Sequence, residues 1–470
     1  MWLGDLPLSQ KEGIAVAIKS GQILHVGNVA TAQVGTTPHW PGKGIVIDRL
    51  QTAGPGDLNI PEERIKELGN YQSVATIRDI PDLSFSLESL DVSVEIERLL
   101  TNKDSTVTDI DLASATPIDI ASQFKAGQQT QTPFAIVNAV AIPYLYLESM
   151  SYRFGLRDNA TQSATLRGDS IYYIPGQAYI EQYPAASITG GSITTTQDVL
   201  GYKKTGATIN QAVLCVTRIR TDGPAIRLTY GVDYTENATT TSTITLLDST
   251  GSPWSDFATE RAGDVIRIVY GSPEKNAYLG ADFPTAGDPG VHQDQTVKPG
   301  AVRGKHIDVF VAPEGYSWDS TYADNLIYKW TDVQSATVDW RATVERDEEF
   351  GNEAAVGIDY SDVPEVTGSI EFRARTPEAM MDKIRLASGV TDATQVIGTD
   401  VSTPVDVHIV VRDPRDGGAT PLKRWFLPSV TLTMPGYQGQ VDQKMNQTVS
   451  FSSDTGTLRV IEMLNFENDR

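Results

Sequence analysis

A chain of 470 residues with 60 acidic and 38 basic side chains has a formal charge of −22. This disfavours nucleic-acid partners held through phosphate contacts, which need clustered Lys and Arg. The single cysteine, Cys215, excludes an intramolecular disulfide and any four-cysteine metal site, and the length points to about three domains.

With 40 % hydrophobic and 21 % charged residues, large disordered regions are not expected. No run reaches about eighteen apolar residues, so no membrane span is expected. Met1 is not followed by a basic and then an apolar stretch, so no secretory signal is expected either.

Residues 1–50 hold short apolar runs, Ile14 to Ile18 and Ile23 to Val26, broken by Gly and Pro, and read as short strands and turns. Gln51 to Leu68, with Gly54-Pro55-Gly56, reads as a charged loop longer than a hairpin needs, and such loops are usually functional or disordered. In Pro81 to Leu100, Leu83, Phe85 and Leu87 alternate with Ser84, Ser86 and Glu88, the period of a half-buried strand. Ser93 then caps a short helix carrying Ile96, Leu99 and Leu100. Pro143 precedes the alternating run YLYLES, and Ser163 to Asp169 reads as hairpin-like.

Between about 195 and 275, Val213 to Ile219, Ile226 to Tyr230, Thr243 to Leu247 and Ile266 to Tyr270 are short strand candidates separated by turns. They indicate a small β-sandwich. The stretches SITGGSITTTQD (187–198) and DFPTAGDPGVHQDQTVKPG (282–300) read as linkers.

The first block then recurs. Pro364 to Lys383 runs parallel to Pro81 to Leu100 without a gap, at an offset of 364 − 81 = 283. Gly351-Asn352 answers Gly69-Asn70 at 282; Pro428 answers Pro143, and Thr448 to Asp454 answers Ser163 to Asp169, both at 285. Four anchors in one order at a nearly constant offset predict an internal duplication. In the second copy Thr376 is the N-cap, Pro377 and Glu378 open the helix, Met380, Met381, Ile384 and Leu386 are its apolar residues, and Gly389 ends it. The expected fold class is mainly β: sandwich- or barrel-forming domains with about one helix per repeat, plus a separate small β-sandwich. The expected domains are 1–190, 191–285 and 286–470.

Candidates for chemistry fail on spacing. His25, His39, His292, His306 and His408 form no metal-binding pattern, and Cys215 lies in the apolar run AVLCV. There is no phosphate-binding glycine loop and no GxSxG elbow. Asp413 to Gly418 (DPRDGG) lacks calcium-loop spacing and reads as a hairpin turn. Arg167-Gly168-Asp169 spells an adhesive tripeptide but falls inside the repeat, where the other copy has Ser452-Ser453-Asp454, and reads as a turn. No catalytic residue, cofactor or metal ligand is assigned, and enzyme activity is not expected.

Each copy thus pairs a charged long loop (Gln51 to Leu68; Ala336 to Phe350) with a strand–helix block (Leu83 to Leu100; Val366 to Leu386) and a closing strand pair (Ser163 to Ile174; Thr448 to Ile461). This order resembles the tail tube proteins of long-tailed, siphovirus-like bacteriophages and related injection machines. The run GQVDQKMNQTVSFSSDTGTLRVIEM resembles their C-terminal strands, and the central sandwich resembles the immunoglobulin-like decorations of phage tails. The resemblance implies a protomer whose inner sheet joins its neighbours' sheets around a channel. Two tube domains per chain imply a ring of three chains with pseudo-sixfold symmetry.

The long loops would reach the next ring through Pro55, Asp57, Glu63, Arg64, Glu67, Glu345, Arg346 and Glu348. Implied partners are the chain itself, tape-measure, tail terminator and baseplate proteins, and DNA passing without specific binding. No membrane partner is implied. The location would be the virion tail, after synthesis in the host cytoplasm. The excess carboxylates are expected to face the channel. Alternatives are a hexameric ring without duplication, another β-rich virion component, and a secreted adhesive or carbohydrate-active β protein.

Overall fold

The computed structural model describes residues 22–28, 45–46, 50–56, 62–66, 73–78, 81–90, 94–101, 103, 107–126, 135–174, 177–196, 198–199, 212–221, 226–238, 242–272, 302–315, 329–347, 357–373, 404–414, 417–418, 420–433, 446–453 and 455–463. The chain is mainly β. Its first part holds β1 (Gln22–Asn28), β2 (Ile45–Val46), β3 (Leu50–Pro55), β4 (Glu62–Lys66), β5 (Ser73–Arg78), β6 (Leu83–Ser89), β7 (Asp109–Asp111), β8 (Ile118–Ala126), β9 (Ala135–Gly155), β10 (Thr161–Gly168) and β11 (Tyr172–Ile174). A short helix, Glu95–Leu100, stands between β6 and β7.

The middle holds β12 (Gln177–Pro184), β13 (Ser192–Thr194), β14 (Val213–Ile219), β15 (Ile226–Arg227), β16 (Tyr234–Ala238), β17 (Ser242–Leu246) and β18 (Val265–Ser272). The last part holds β19 (Ile307–Pro313), β20 (Lys329–Trp330), β21 (Val333–Arg341), β22 (Val344–Asp347), β23 (Gly357–Tyr360), β24 (Glu365–Arg373), β25 (Val405–Arg412), β26 (Pro421–Thr433), β27 (Asn446–Ser453) and β28 (Arg459–Glu462).

The first and last parts use one pairing scheme in one register. Phe85 faces Leu166 across β6 and β10; Gly368 faces Phe451 across β24 and β27, and 368 − 85 = 283 while 451 − 166 = 285. Leu147 faces Leu166 across β9 and β10, and Leu432 faces Phe451, with 432 − 147 = 285. Gln22 faces Phe124 across β1 and β8, and Ile307 faces Val411. Tyr172 faces Ala141 across β11 and β9, and Arg459 faces Phe426.

Irregularities recur as well. The shift between Leu50 and Thr52 against β6 returns between Val333 and Ser335 against β24. The shift between Ile118 and Ile120 against β9 returns between Val405 and Val407 against β26. A β-bulge is a specific backbone device, so shared bulges in shared register are a stronger signature of repetition than residue identity.

In each copy one long strand serves two sheets. The first half of β9 lies in a back sheet with β8, β1, β2 and β11, and its second half lies in a front sheet with β10, β6 and β3. The bend falls just after proline in both copies, at Tyr144 (φ 64°) and Ser429 (φ 51°). Left-handed backbone is uncommon for a bulky residue and is held by its surroundings. The amide of Ser429 donates to Asp406 Oδ1 at 3.0 Å, and the Tyr144 ring lies 5.6 Å from the Arg267 guanidinium.

The front-sheet strands alternate as read from sequence: Leu83, Phe85 and Leu87 are buried, while Ser84 and Ser86 are exposed. The two copies share one continuous apolar core that includes Phe85, Leu166, Tyr152, Trp340, Ile370, Trp425 and Phe451.

Two sequence readings change. The long loops are largely strand: Gln51 to Leu68 contains most of β3 and all of β4, and Ala336 to Phe350 contains most of β21 and all of β22. Pro55 is compatible with β3 because, among the described residues, β3 pairs only on its β6 side, and proline is tolerated at sheet edges. The stretch 187–198 contains β13 instead of being only a linker, because Gly190 and Gly191 turn the chain at φ 60° and 69°. Asp413 to Gly418 lies at the β25–β26 turn as expected, with the Gly418 amide donating to the Asp413 carbonyl at 2.9 Å. The second helix (Thr376 to Gly389), the linker 282–300 and the residue pairs Gly69-Asn70 and Gly351-Asn352 lie outside the described residues.

The middle part is a sandwich of a four-stranded sheet (β12-β18-β14-β15) and a three-stranded sheet (β13-β17-β16) around one core with Tyr179, Val216, Tyr234, Ile244, Ile268 and Tyr270. That core extends to Ala141 and Ile174 of the first copy, and Arg227 Nη2 donates to the Tyr172 hydroxyl at 2.6 Å. Cys215 is buried in it.

His408, on β25, stacks on Phe426 at 4.7 Å. Burial, with the Arg424 guanidinium beside it, pushes its pKa down to about 3 from 6.5. The unfolded chain therefore binds a proton that the folded chain refuses between about pH 6.5 and 3, and stability falls as pH falls through that window. His408→Phe is expected to remove a few kcal/mol of that acid sensitivity. Urea unfolding of both proteins at pH 7 and pH 4.5 checks it; an unchanged pH difference in the variant contradicts it.

Candidate functional site: an eight-stranded sheet with open edges

The second half of β9 pairs on its free side with β21: Gly155 faces Ser335, Arg153 faces Thr337, Ser151 faces Asp339 and Ser149 faces Arg341. The front sheets of the two copies thereby become one sheet of eight strands, β3-β6-β10-β9-β21-β24-β27-β26. Among the described residues, the outer side of β3 and the outer side of the second half of β26 carry no partner strand. β3 is the counterpart of β21 and β26 of β9; the residues that match the joint half of β9, Ser149–Gly155, are 434–440 at the offset of 285 and lie outside the described residues. Unpaired strand edges are templates for further strand addition.

Behind the ladder the joint has two more contacts. β7, from the first copy, pairs with β28 of the second, with Ile110 facing Val460. The helix Glu95–Leu100 packs over the second copy's back sheet through buried charges. Lys423 Nζ lies 2.5 Å from Glu97 Oε1, and the two side chains are 1 % and 0 % exposed. The Tyr152 hydroxyl donates to the same oxygen at 2.8 Å, and the ammonium sits 4.8 Å from the Trp425 ring centroid. Burial, followed by the Glu97 carboxylate, holds the Tyr152 hydroxyl protonated well above its usual range. Arg98 pairs with Glu462 and donates through Nε to the Val107 carbonyl at 3.0 Å.

Among the described residues, β11 pairs only with β9, whereas its counterpart β28 pairs with both β26 and β7. Tyr173 on β11 is the register counterpart of Val460 on β28, since 173 + 287 = 460 and their partners Val140 and Trp425 are 285 apart. Val460 is fully buried beside β7, whereas Tyr173 is 70 % exposed.

The solvent side of the eight-stranded sheet is a hydroxyl surface. Ser84, Ser86, Thr165, Ser151, Thr337, Ser369, Ser450 and Ser452 lie on it by strand alternation and register. Its described charged residues are Asp82, Glu88, Glu148, Asp339, Glu365 and Glu371 against Arg153, Arg167, Arg341 and Arg373, a sum of 4 − 6 = −2.

Arg167 of the adhesive-looking tripeptide belongs to this surface. Its guanidinium is held by Asp82 at 2.7 and 3.0 Å and by Glu148 at 3.3 Å, and Asp169 lies 3.7 Å from Arg227. The tripeptide ends strand β10 and does not sit at a free loop tip.

A two-stranded hairpin follows β3 in the first copy, β4–β5, and follows β21 in the second, β22–β23. Glu63 faces Ile77 and Arg64 faces Thr76; at an offset of 282, Glu345 faces Asp359 and Arg346 faces Ile358. The structure thus places these four expected contact residues at matching positions on two hairpins, with Glu345 exposed. Pro55 ends β3 and is exposed, while Asp57, Glu67 and Glu348 lie outside the described residues. Sequence reading missed Glu97, Lys423 and Tyr152, which no short motif brings together.

No family model matches the chain, and no curated protein matches it. Among solved structures, it is similar to a chain of the PVC sheath–tube complex of an extracellular contractile injection system in its extended state: 13 % identity, TM-score 0.22, 35 % of this chain and 95 % of that chain covered. It is also similar to the tube-terminating cap of the anti-feeding prophage (AFP): 12 % identity, TM-score 0.21, 35 % of this chain and 92 % of that chain covered.

Proposed function

We propose that this chain is a structural subunit that polymerises into the hollow tube of a virus tail or a related particle, with three chains in each ring. The observation that carries this reading is the β9·β21 ladder, a ready-made edge-to-edge joint between two copies of one unit inside one chain. At the flanks of the same sheet stand β3, the counterpart of β21, and β26, the counterpart of β9. Repeating the joint between chains extends the sheet by eight strands per chain, and three chains give 3 × 8 = 24 strands. A closed barrel of that size, with strands about 4.8 Å apart and tilted about 40°, has a backbone diameter of about 50 Å. Such a barrel has no free edges, and its lumen admits a double helix.

On this reading the hydroxyl surface lines the channel, and its described residues carry only a small excess of carboxylates. The described surface sums to −2, against −22 for the chain. Its carboxylates are largely offset by arginines on neighbouring strands, most directly at Arg167. DNA would pass a near-neutral, hydrated wall that offers no cluster of cations to grip phosphates. The hairpins bearing Glu63, Arg64, Glu345 and Arg346 point to ring-to-ring contacts, and the sandwich is a decoration on the first copy. Tape-measure and terminator proteins are the partners such a tube requires. The tripeptide's place in a paired strand disfavours the adhesive alternative.

Negative-stain microscopy of the purified protein tests the proposal. Hollow tubes with a regular axial repeat are expected; discrete particles at every concentration and salt condition contradict it.

A further inference from the structure

The hydroxyl surface differs between the copies at one place. In the first copy Arg167 on β10 lies between Ser84 of β6 and Tyr146 of β9, and Asp82 and Glu148 hold its guanidinium. The same place in the second copy, at 167 + 285, is Ser452 on β27, between Thr367 of β24 and Thr431 of β26. A serine is far shorter than an arginine, and the space stays open. A concavity of about 410 Å³ lies there, lined by Thr337, Asp339, Thr367, Ser369, Ser450 and Ser452 among others.

The acids that suit a guanidinium persist although the arginine is gone. Asp82 answers to Glu365, at 82 + 283, two residues before Thr367 on the same face of β24. Glu148 answers to Thr433, at 148 + 285, which also lines the concavity. Asp339, opposite Thr367, stands where the first copy has Gly56 against Ser84. The Thr337 and Ser369 hydroxyls are 2.9 Å apart and share one hydrogen bond. Carboxylate and hydroxyl oxygens together match the planar fork of donors that arginine carries.

We propose that this concavity is a binding site for an arginine side chain of a partner polypeptide, with Asp339 and Glu365 receiving the guanidinium as Asp82 and Glu148 receive Arg167. The first copy carries its own occupant, and the second takes one from outside. Arg153 and Arg341, opposite Thr337 and Glu365, are exposed beside the site. They repel a run of basic residues, so a single arginine in an otherwise neutral segment fits best. Only the place of the partner rests on the assembly reading above. On that reading each ring presents three such sites to the channel, and the partner is a segment lying inside it.

The test is saturation-transfer NMR of two peptides with the unassembled full-length protein. One is acetyl-Gly-Arg-Gly-amide; the other has citrulline in place of arginine, with the same shape and no charge. The salt is about 0.15 M, where exposed charges more than about 8 Å apart are largely screened. The arginine peptide is expected to give about three times the signal of the citrulline peptide. S452R supplies a built-in occupant and is expected to bring the two signals level. Equal signals in wild type, or a preference that survives S452R, overturn the proposal. Should S452R fail to fold, D339N/E365Q decides: it keeps the shape and removes the charge. Loss of the preference in that variant supports the site, and a retained preference overturns it. The measurement does not need tubes, so specific binding by a chain that forms none would leave the site standing and sink only the tube reading.

Discussion

Lys423→Met alone is expected to destabilise the protein by about 3–5 kcal/mol, while Glu97→Met and Lys423→Met together return most of that loss. Glu97 is fully buried and Lys423 nearly so, 2.5 Å from it, with the ammonium also over the Trp425 ring. Removing the lysine strands a carboxylate whose described partners are then reduced to the Tyr152 hydroxyl. Removing both charges leaves apolar side chains among Trp425, Tyr152 and Phe154, where burial compensates for the lost pair. Denaturant unfolding of the two single variants, the double variant and wild type forms a double-mutant cycle. Additive losses would show that the two side chains do not act as a pair.

Gly368→Ala is expected to cost about 1–3 kcal/mol although it adds one methyl group. A Cβ at Gly368 would stand 2.3 Å from Phe451 Cζ and 2.4 Å from the backbone oxygen of Thr337. The same position in the first copy holds Phe85, facing Leu166 instead of phenylalanine. One copy places the aromatic ring on β6 and the other on β27, so the pair of positions is filled jointly and neither can grow alone. Gly368→Ala with Phe451→Leu should recover only part of the loss, because the Thr337 carbonyl belongs to a paired strand and cannot retreat. Thermal unfolding checks both variants; a neutral Gly368→Ala contradicts the packing described.

The contrast between these two sites shows what the sequence could reveal. The anchors at offsets of 283 and 285 were legible because alternation and proline positions persist where residue identity does not: Phe85 answers to a glycine, yet the register holds. The matching bends at Tyr144 and Ser429 were signalled by Pro143 and Pro428. The β3 edge was hidden because Gly54-Pro55-Gly56 reads as a loop, whereas an edge strand tolerates such residues.

The joint itself was not legible. Glu97 and Lys423 are 326 residues apart, and no local period couples them. A 21-residue strand that changes sheets halfway gives no sign of which neighbour its second half will take.

The most direct measurement of the central claim is a cross-section of the assembled particle by cryo-electron microscopy at a resolution that separates strands. The account requires a closed wall of 24 strands in which each chain supplies eight, with β3 of one chain beside the second half of β26 of the next. It also requires the two copies to sit at one radius around a threefold axis. Six chains per ring, or first and second copies at different radii, would contradict it.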